Sequence, residues 1–246
     1  MIHVGKQVLI TGGGSGLGAE LAKNFAAQGA RVVIAGRRTE LLVNTASANM
    51  LIRAIPADVT NEARVKALFA EAGPCDIVIA NAGAAESSPF TRTSLEHWNA
   101  ILAVNLTGVF LTLREGLSQM TGWGRLIAIS STAGLKGYPY VAPYVAAKHG
   151  VVGLVRGLAL ELGKKPITVN ALCPGFLDTE MTERSVENIM AKTGRSHAEA
   201  LATLASQNLN GRLVSPSEVV DAALRLCSDG SEAVNGQAIL IDGNPL

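Results

Sequence analysis

The chain has 246 residues, 48% of them hydrophobic and 17% charged, with 21 Lys and Arg against 20 Asp and Glu. This length can bury a large core, and an α/β unit of this size commonly forms one domain. Near-neutral charge, with no basic run beyond Arg37-Arg38 and Lys164-Lys165, excludes a field suited to nucleic acid or an anionic membrane.

The N-terminus, MIHVGKQVLITGG, lacks the charged, apolar and small-residue sections of a signal peptide, so a cytoplasmic protein is expected. Lys6 to Ile10 reads as a strand that breaks at Thr11-Gly12-Gly13-Gly14-Ser15-Gly16-Leu17-Gly18, and Ala19 to Gln28 has helical spacing. Strand, glycine loop and helix make a phosphate-binding turn. Glycines let the backbone approach a ligand, and the helix N-terminus offers free N–H groups and a positive dipole end. The loop is not a Walker A element, since Ala19 stands where a lysine should follow, and no frame fits G-x-G-x-x-G. A tight turn without a ligand is the alternative.

A second strand, Arg31 to Ala35, ends at Gly36-Arg37-Arg38, where a dinucleotide-binding unit reads the adenine ribose. No acid appears there before Glu40 to accept bonds from a free 2′-hydroxyl. The planar guanidinium groups of Arg37 and Arg38 suit a 2′-phosphate instead, so NADP(H) is preferred over NAD(H). Two solvated arginines capping a strand are the bland alternative. Helical spacing over Thr39 to Ala48, a third strand over Leu51 to Ala57 and a helix over Asn61 to Ala72 follow. Asp58 either contacts the adenine edge or begins the next turn. Asp76 to Ala80 reads as a fourth strand, almost continuously apolar as a strand covered on both faces should be. It runs into Asn81-Ala82-Gly83, where Asn81 is expected to stabilise the strand end and line a ligand crevice.

A long helix is predicted over Ser94 to Gln119. Its uncharged run, His97 to Leu113, contains Asn99, Asn105 and two threonines, which argues for a buried helix rather than a membrane span. From the residues alone Asn105 has a structural role, since a buried amide needs partners. The strand Arg125 to Ile129 leads to Ser131, whose hydroxyl can reach into a crevice. Pro143 to Leu162 is then helical, with Tyr144 and Lys148 four apart on one face. A free tyrosine, with a pKa of about 10, is a poor acid or base at neutral pH, and a lysine cation beside the phenol is expected to lower that value. Among Tyr138, Tyr140 and Tyr144 only the last has a lysine four positions on. Y-x-x-x-K pairs are common on helix surfaces. Ser131 upstream, and the absence of a G-x-S-x-G elbow, turn this one toward hydride-transfer chemistry rather than hydrolysis.

Gly150, Gly153 and Gly157 form a stripe that permits close approach by the sheet or by another subunit. Ile167 to Leu172 is a sixth strand ending in Cys173-Pro174-Gly175. The more polar segment from Phe176 to Arg212 carries two helical patterns broken at Gly194 and is read as a substrate lid. Ser215-Pro216-Ser217-Glu218 opens a helix with a capping signal, and Ala238 to Ile241 is a last strand. The three cysteines, Cys75, Cys173 and Cys227, lack C-x-x-C spacing, so neither a metal site nor a disulfide framework is expected. The order of elements predicts an α/β fold, a doubly wound parallel sheet of about seven strands with helices on both faces.

Over essentially its whole length the chain resembles the short-chain dehydrogenase/reductase family. The matching motifs are TGGGSGLG at Thr11 to Gly18, NAG at Asn81 to Gly83, Asn105, Ser131, YVAAK at Tyr144 to Lys148, and Pro174-Gly175. The resemblance implies a single Rossmann domain that interconverts a ketone and a secondary alcohol by hydride transfer with NADP(H) or NAD(H). Ser131 would hold the substrate oxygen and Tyr144 exchange a proton with it. Lys148 would hold the nicotinamide ribose and depress the Tyr144 pKa, and Asn105 would keep a water behind the lysine. Gly12, Ser15, Gly16 and Leu17 would form the cofactor loop, Arg37 and Arg38 the adenosine ribose end, and Asp58 and Val59 the adenine contact. Asn81, Gly83, Pro174 and Gly175 would line the same crevice, with Thr179 and Met181 near the carboxamide and pyrophosphate.

A homo-oligomer, tetramer or dimer, is implied as well. The lid, including AKTGRSHAEAL, resembles those of members acting on 3-oxoacyl or cyclic hydroxyacyl thioesters, with Leu135, Tyr138 and Tyr140 as an apolar wall. Two other classes stand beside this reading: a dinucleotide-binding sensor or scaffold without turnover, and a related dehydratase or epimerase, which would require an additional acid or base.

Overall fold

Seven short apolar runs pair into one sheet in the computed structural model, which describes residues 3–243. They are β1 (Gln7–Thr11), β2 (Arg31–Gly36), β3 (Ile52–Pro56), β4 (Ile77–Ala80), β5 (Gly124–Ile129), β6 (Ile167–Pro174) and β7 (Ala238–Ile241). All pairs are parallel, in the order β3-β2-β1-β4-β5-β6-β7. Parallel neighbours need crossovers, and helices supply them. These are α1 (Gly16–Ala27), α2 (Thr39–Ala46), α3 (Glu62–Ala72), α4 (Leu95–Leu102), α5 (Gly108–Gln119), α6 (Ala142–Leu162), α7 (Glu180–Thr193), α8 (His197–Ala205) and α9 (Pro216–Leu226).

Side chains alternate across the sheet and so divide the core in two. Val8 and Ile10 of β1 face one layer, packed with Leu21 and Phe25 of α1 and Val219 and Ala223 of α9. Leu9 between them faces the other, with Phe69 of α3, Leu113 of α5 and Val155 of α6. Both faces are covered, which is why the strands read as almost unbroken apolar runs. From β1 the chain first builds outward to β3, then returns to add β4 on the opposite side. The order reverses between β1 and β4, and their carboxyl ends open a crevice there.

Residues 95–119 are continuously helical, as expected, except that Ala103–Thr107 forms one wider turn in which Gly108 N donates to the Ala103 carbonyl. Turns of this kind occur often at functional sites, and Asn105 lies in it. By length and composition alone Leu95–Gln119 could cross a membrane, but Val109, Leu111 and Leu113 are buried in the second layer, as in a core helix. The glycine stripe on α6 excludes one of its two expected partners. A Cβ at Gly150 would meet Leu106, whereas Gly153 and Gly157 face open space and not the sheet.

Beyond β6, α7 ends at Gly194 with φ 70°, and a Ser196/Glu199 capping box opens α8. Val186, Ala200 and Leu204 give this pair a small core of its own, backed by Phe176 and Ile189. The three cysteines are buried and unbridged.

Candidate active site

The glycine loop is a backbone surface. Ser15 caps α1 with an extended conformation, but its hydroxyl bonds none of the first-turn N–H groups and accepts from Arg38 Nη2 at 2.9 Å instead. The first-turn N–H groups therefore have no side-chain partner, the arrangement that receives a phosphate. Gly12 takes φ 70°, and a Cβ at Gly18 would strike the Gly12 carbonyl and come within 2.6 Å of Asn81 Nδ2. Gly16 lies opposite Thr179, at the start of α7. Leu17 is buried in the first core layer, so only its backbone can face a ligand. An open cleft of about 440 Å³ runs along Gly14, Ser15 and Gly16 toward Thr45 and Thr179; Ser131, Tyr144 and Lys148 are not among its walls.

At the end of β2, Arg37 is exposed and its charge acts on Asp58. Burial works to raise the Asp58 pKa, but bonds from Thr60 N (2.9 Å) and Thr60 Oγ1 (2.8 Å), with Arg37, outweigh it and hold the carboxyl below its ordinary value. Asp58 is thus both a turn-former and a group beside the arginine. Val59 is buried, and a Cβ at Gly108 would meet its side chain at 2.8 Å.

Asn81 ties β4 to β1, as expected. Its Nδ2 donates to Thr11 O at 2.9 Å, and its N–H donates to Thr11 Oγ1 at 3.1 Å. Thr11 Oγ1 also accepts from Ala82 N at 3.2 Å, a role that the sequence does not signal. Asn105 is fully buried and bonded to backbone: Nδ2 donates to Ala84 O (2.8 Å) and Ile101 O (2.9 Å), and Oδ1 accepts from Ala84 N (3.2 Å). Both amide protons are used, which is the structural role the residues alone suggested. Gly83 fits between this amide and the lysine; a Cβ there would lie 3.0 Å from Asn105 Oδ1 and 3.8 Å from Lys148 Nζ.

Ser131, Tyr144 and Lys148 come together where β5 ends against α6. Ser131 Oγ accepts from Ala133 N at 3.1 Å and keeps its own proton to donate, and donation toward the Tyr144 phenol acts to pull that pKa down. The expected lysine effect on Tyr144 is not found. Burial pushes the phenol up to about 12, Ser131 opposes the rise, and the neighbouring Tyr138 adds to it. Lys148 Nζ lies 5.4 Å from the Tyr144 ring centroid and donates to the Ile129 carbonyl at 2.8 Å. Helical spacing put both side chains on one face, but the lysine stem runs back to a strand-end acceptor. Burial brings Lys148 down to about 8.

At the end of β6, Gly175 N donates to Ile241 O at 2.9 Å, and Gly175 has no room for a Cβ against Asn208. Asn208, buried and not singled out by sequence, holds Phe176 N, Phe176 O and Arg212 O at 2.9, 2.9 and 2.7 Å. Met181 is 44% exposed on α7, and Pro174 is buried at the strand end.

These features meet a match outside the chain. A family profile described as enoyl-(acyl carrier protein) reductase covers residues 12–243. The chain belongs to the short-chain dehydrogenase/reductase family. This oxidoreductase is 36% identical to a putative ketoacyl reductase of Streptomyces coelicolor, over 96% of this chain and 95% of that one. It is 34% identical to a D-beta-hydroxybutyrate dehydrogenase of Cupriavidus necator, over 97% of each. Among solved structures it is similar to a point variant of the actinorhodin polyketide ketoreductase with NADPH, with a TM-score of 0.89, 34% identity, and 97% and 96% of the two chains covered.

What sequence reasoning missed at the site of this dehydrogenase/reductase is a second hydroxyl pair. Thr132 Oγ1 and Tyr138 OH are 2.8 Å apart, and the Tyr138 ring meets Phe176 edge-on with centroids 6.0 Å apart. The sequence offers Tyr138 only as apolar wall. Thr132 directly follows Ser131, and that adjacency is the available signal.

Proposed function

We propose that this short-chain dehydrogenase/reductase reduces a ketone to a secondary alcohol, with Tyr144 as proton donor and NADPH preferred over NADH. The observation that carries the reading is the meeting of the Ser131 hydroxyl with a Tyr144 phenol that burial keeps protonated. Ser131 Oγ, its own lone pair engaged by Ala133 N, donates to the substrate oxygen and orients it. Tyr144 gives its proton to the same oxygen as negative charge develops there. Lys148, anchored on Ile129 O with its Nζ 5.4 Å from the ring centroid, is placed to hold the nicotinamide ribose hydroxyls rather than to lower the phenol pKa. Both Asn105 amide protons are on backbone carbonyls, so its amide has no proton left to hold a water behind the lysine.

The residues fit a dinucleotide. The Gly12 and Gly18 cradle has no room for side chains, the first-turn N–H groups of α1 are uncapped, and Arg38 with Ser15 offers donors for a 2′-phosphate beside Arg37. When bound, the reduced nicotinamide supplies the hydride. The actinorhodin ketoreductase with NADPH supports the cofactor preference. The names of the relatives support a 3-oxoacyl or 3-hydroxyacyl substrate, or a cyclic ketone. The profile description mentions an enoyl reductase, but two hydroxyls converging on one point suit a carbonyl oxygen better than an isolated carbon–carbon double bond.

In this reading residues 1–246 act as one unit in the cytoplasm, and 176–212 closes over the substrate. Exposed Phe110, Leu160 and Leu240, with open Gly153 and Gly157, support a homo-oligomer. Tyr144→Phe tests the mechanism: kcat should fall about 10²- to 10⁴-fold while the Kd for NADPH stays within about twofold. Carbonyl reduction that survives the change, with cofactor binding unaltered, would mean that a group other than Tyr144 is the acid.

A further inference from the structure

Three segments of chain meet at Ser87. Its Oγ accepts from two side chains of α7, Asn188 Nδ2 at 2.8 Å and Lys192 Nζ at 3.4 Å. The next residue, Ser88, donates its N–H to Tyr140 O at 2.8 Å. Tyr140 is the one non-glycine residue with positive φ (65°) among the described residues. It belongs to the loop between Ser131 and Tyr144. Ser87 therefore sits where the loop after β4, the loop carrying the catalytic hydroxyls and the lid close on one another.

The chemistry of this junction is one-sided. Ser87 Oγ accepts two bonds and keeps a proton to donate, Asn188 has a second amide proton, and Lys192 brings an ammonium. Lys192 has no carboxylate within ion-pair distance among the described residues, whereas Lys6, Lys23 and Lys66 each lie beside one. Lys136, in the loop that carries Tyr140, likewise has no carboxylate within ion-pair distance among the described residues; it lies 5.2 Å from the Tyr138 ring centroid and donates to Gln207 O at 3.4 Å. The acid next in sequence, Glu86, faces His97 at 3.5 Å. Donors from two segments thus gather with positive charge and no resident counter-ion, the composition that receives an anionic oxygen.

We propose that Ser87, Asn188 and Lys192 anchor an anionic group, carboxylate or phosphate, on the part of the substrate remote from its ketone. The inference rests on the ketone-reduction reading and narrows its substrate class. The anion bridges the lid and the loop after β4, so binding it also holds the lid in place.

The test uses four ketones in two matched pairs: acetoacetate with its neutral ethyl ester, and acetoacetyl-coenzyme A with the neutral acetoacetyl-N-acetylcysteamine. With Lys192→Met, KM for the anionic member of one pair should rise about tenfold, the equivalent of roughly 1.4 kcal/mol, while its neutral partner stays within about twofold. The pair that responds tells carboxylate from phosphate, and Lys192→Arg should restore most of the loss. Equal rises for charged and neutral members would show a lid latch only and overturn the proposal, as would no change in either pair. Calorimetric binding of the same compounds to wild type and Lys192→Met reads the anchor without turnover. A wild type that binds the charged ketones through Lys192 but reduces none of the four leaves the anchor standing and sinks the ketone reading.

Discussion

Around Gly12 to Gly18 the surface at the crevice is backbone, whereas the 176–212 segment presents side chains resting on a core of Val186, Ala200 and Leu204. At the first surface the glycines leave no room: a Cβ at Gly12 would lie 2.9 Å from Ala82 Cα, and one at Gly13 2.6 Å from Ile34. At the second, contacts run through replaceable groups such as Asn188, Tyr138 and Phe176. A wall of main chain can recognise what every dinucleotide shares, a pyrophosphate, but cannot be retuned without moving the sheet. Side chains on a small separate core can be exchanged while β1, β4 and α1 stay in place.

The sharpest way to break this contrast is Gly18→Ala. Its Cβ would strike the Gly12 carbonyl, and overpacking of this kind costs about 1–3 kcal/mol. We expect the Kd for NADPH to weaken about 100-fold or more, together with a lower Tm. Unchanged binding by fluorescence titration would show that the loop is not the phosphate cradle.

Next in size is a pH effect at Lys148. With its pKa brought down to about 8 in the fold from the ordinary 10.5, Lys148 binds fewer protons folded than unfolded between those values. Stability from this group therefore rises with pH across that window and is flat below it. A shift of this size is worth about 3 kcal/mol. Denaturant unfolding of wild type and Lys148→Met should show their stability difference moving in favour of wild type by about that amount between pH 8 and 10.5. A pH-independent difference would place the lysine in solvent.

Asn208→Ala probes the second region. It strips partners from Phe176 N, Phe176 O and Arg212 O, and should destabilise by roughly 2 kcal/mol. Hydrogen exchange should quicken within 176–212 and not in the strands. Uniform quickening would mean that the segment has no independence from the sheet. The smallest expected effect is at the ribose end, where Arg38→Ala should reduce the NADPH over NADH ratio of kcat/KM about tenfold. A ratio that holds would turn the Arg38 to Ser15 bond into a loop brace.

The sequence by itself determined the parallel sheet, because apolar runs of strand length alternate with helical spacing and each run must be covered on both faces. It also determined the turn at Gly12 to Gly18, since only glycine admits such close backbone approach, and the neighbourhood of Tyr144 and Lys148, which helix geometry places on one face. Only the tertiary structure decided which partners the polar side chains take. Lys148 reaches a carbonyl at the end of β5 and Asn105 spends its amide on Ala84, partners 19 and 21 residues away along the chain. Ser87 meets α7 across 101 positions, and the Tyr138 hydroxyl finds Thr132 while its ring meets Phe176. Local spacing fixes direction within an element. A polar side chain's partner depends on which strand ends and loops the fold brings within hydrogen-bond reach, and that is settled by how helices and sheet pack.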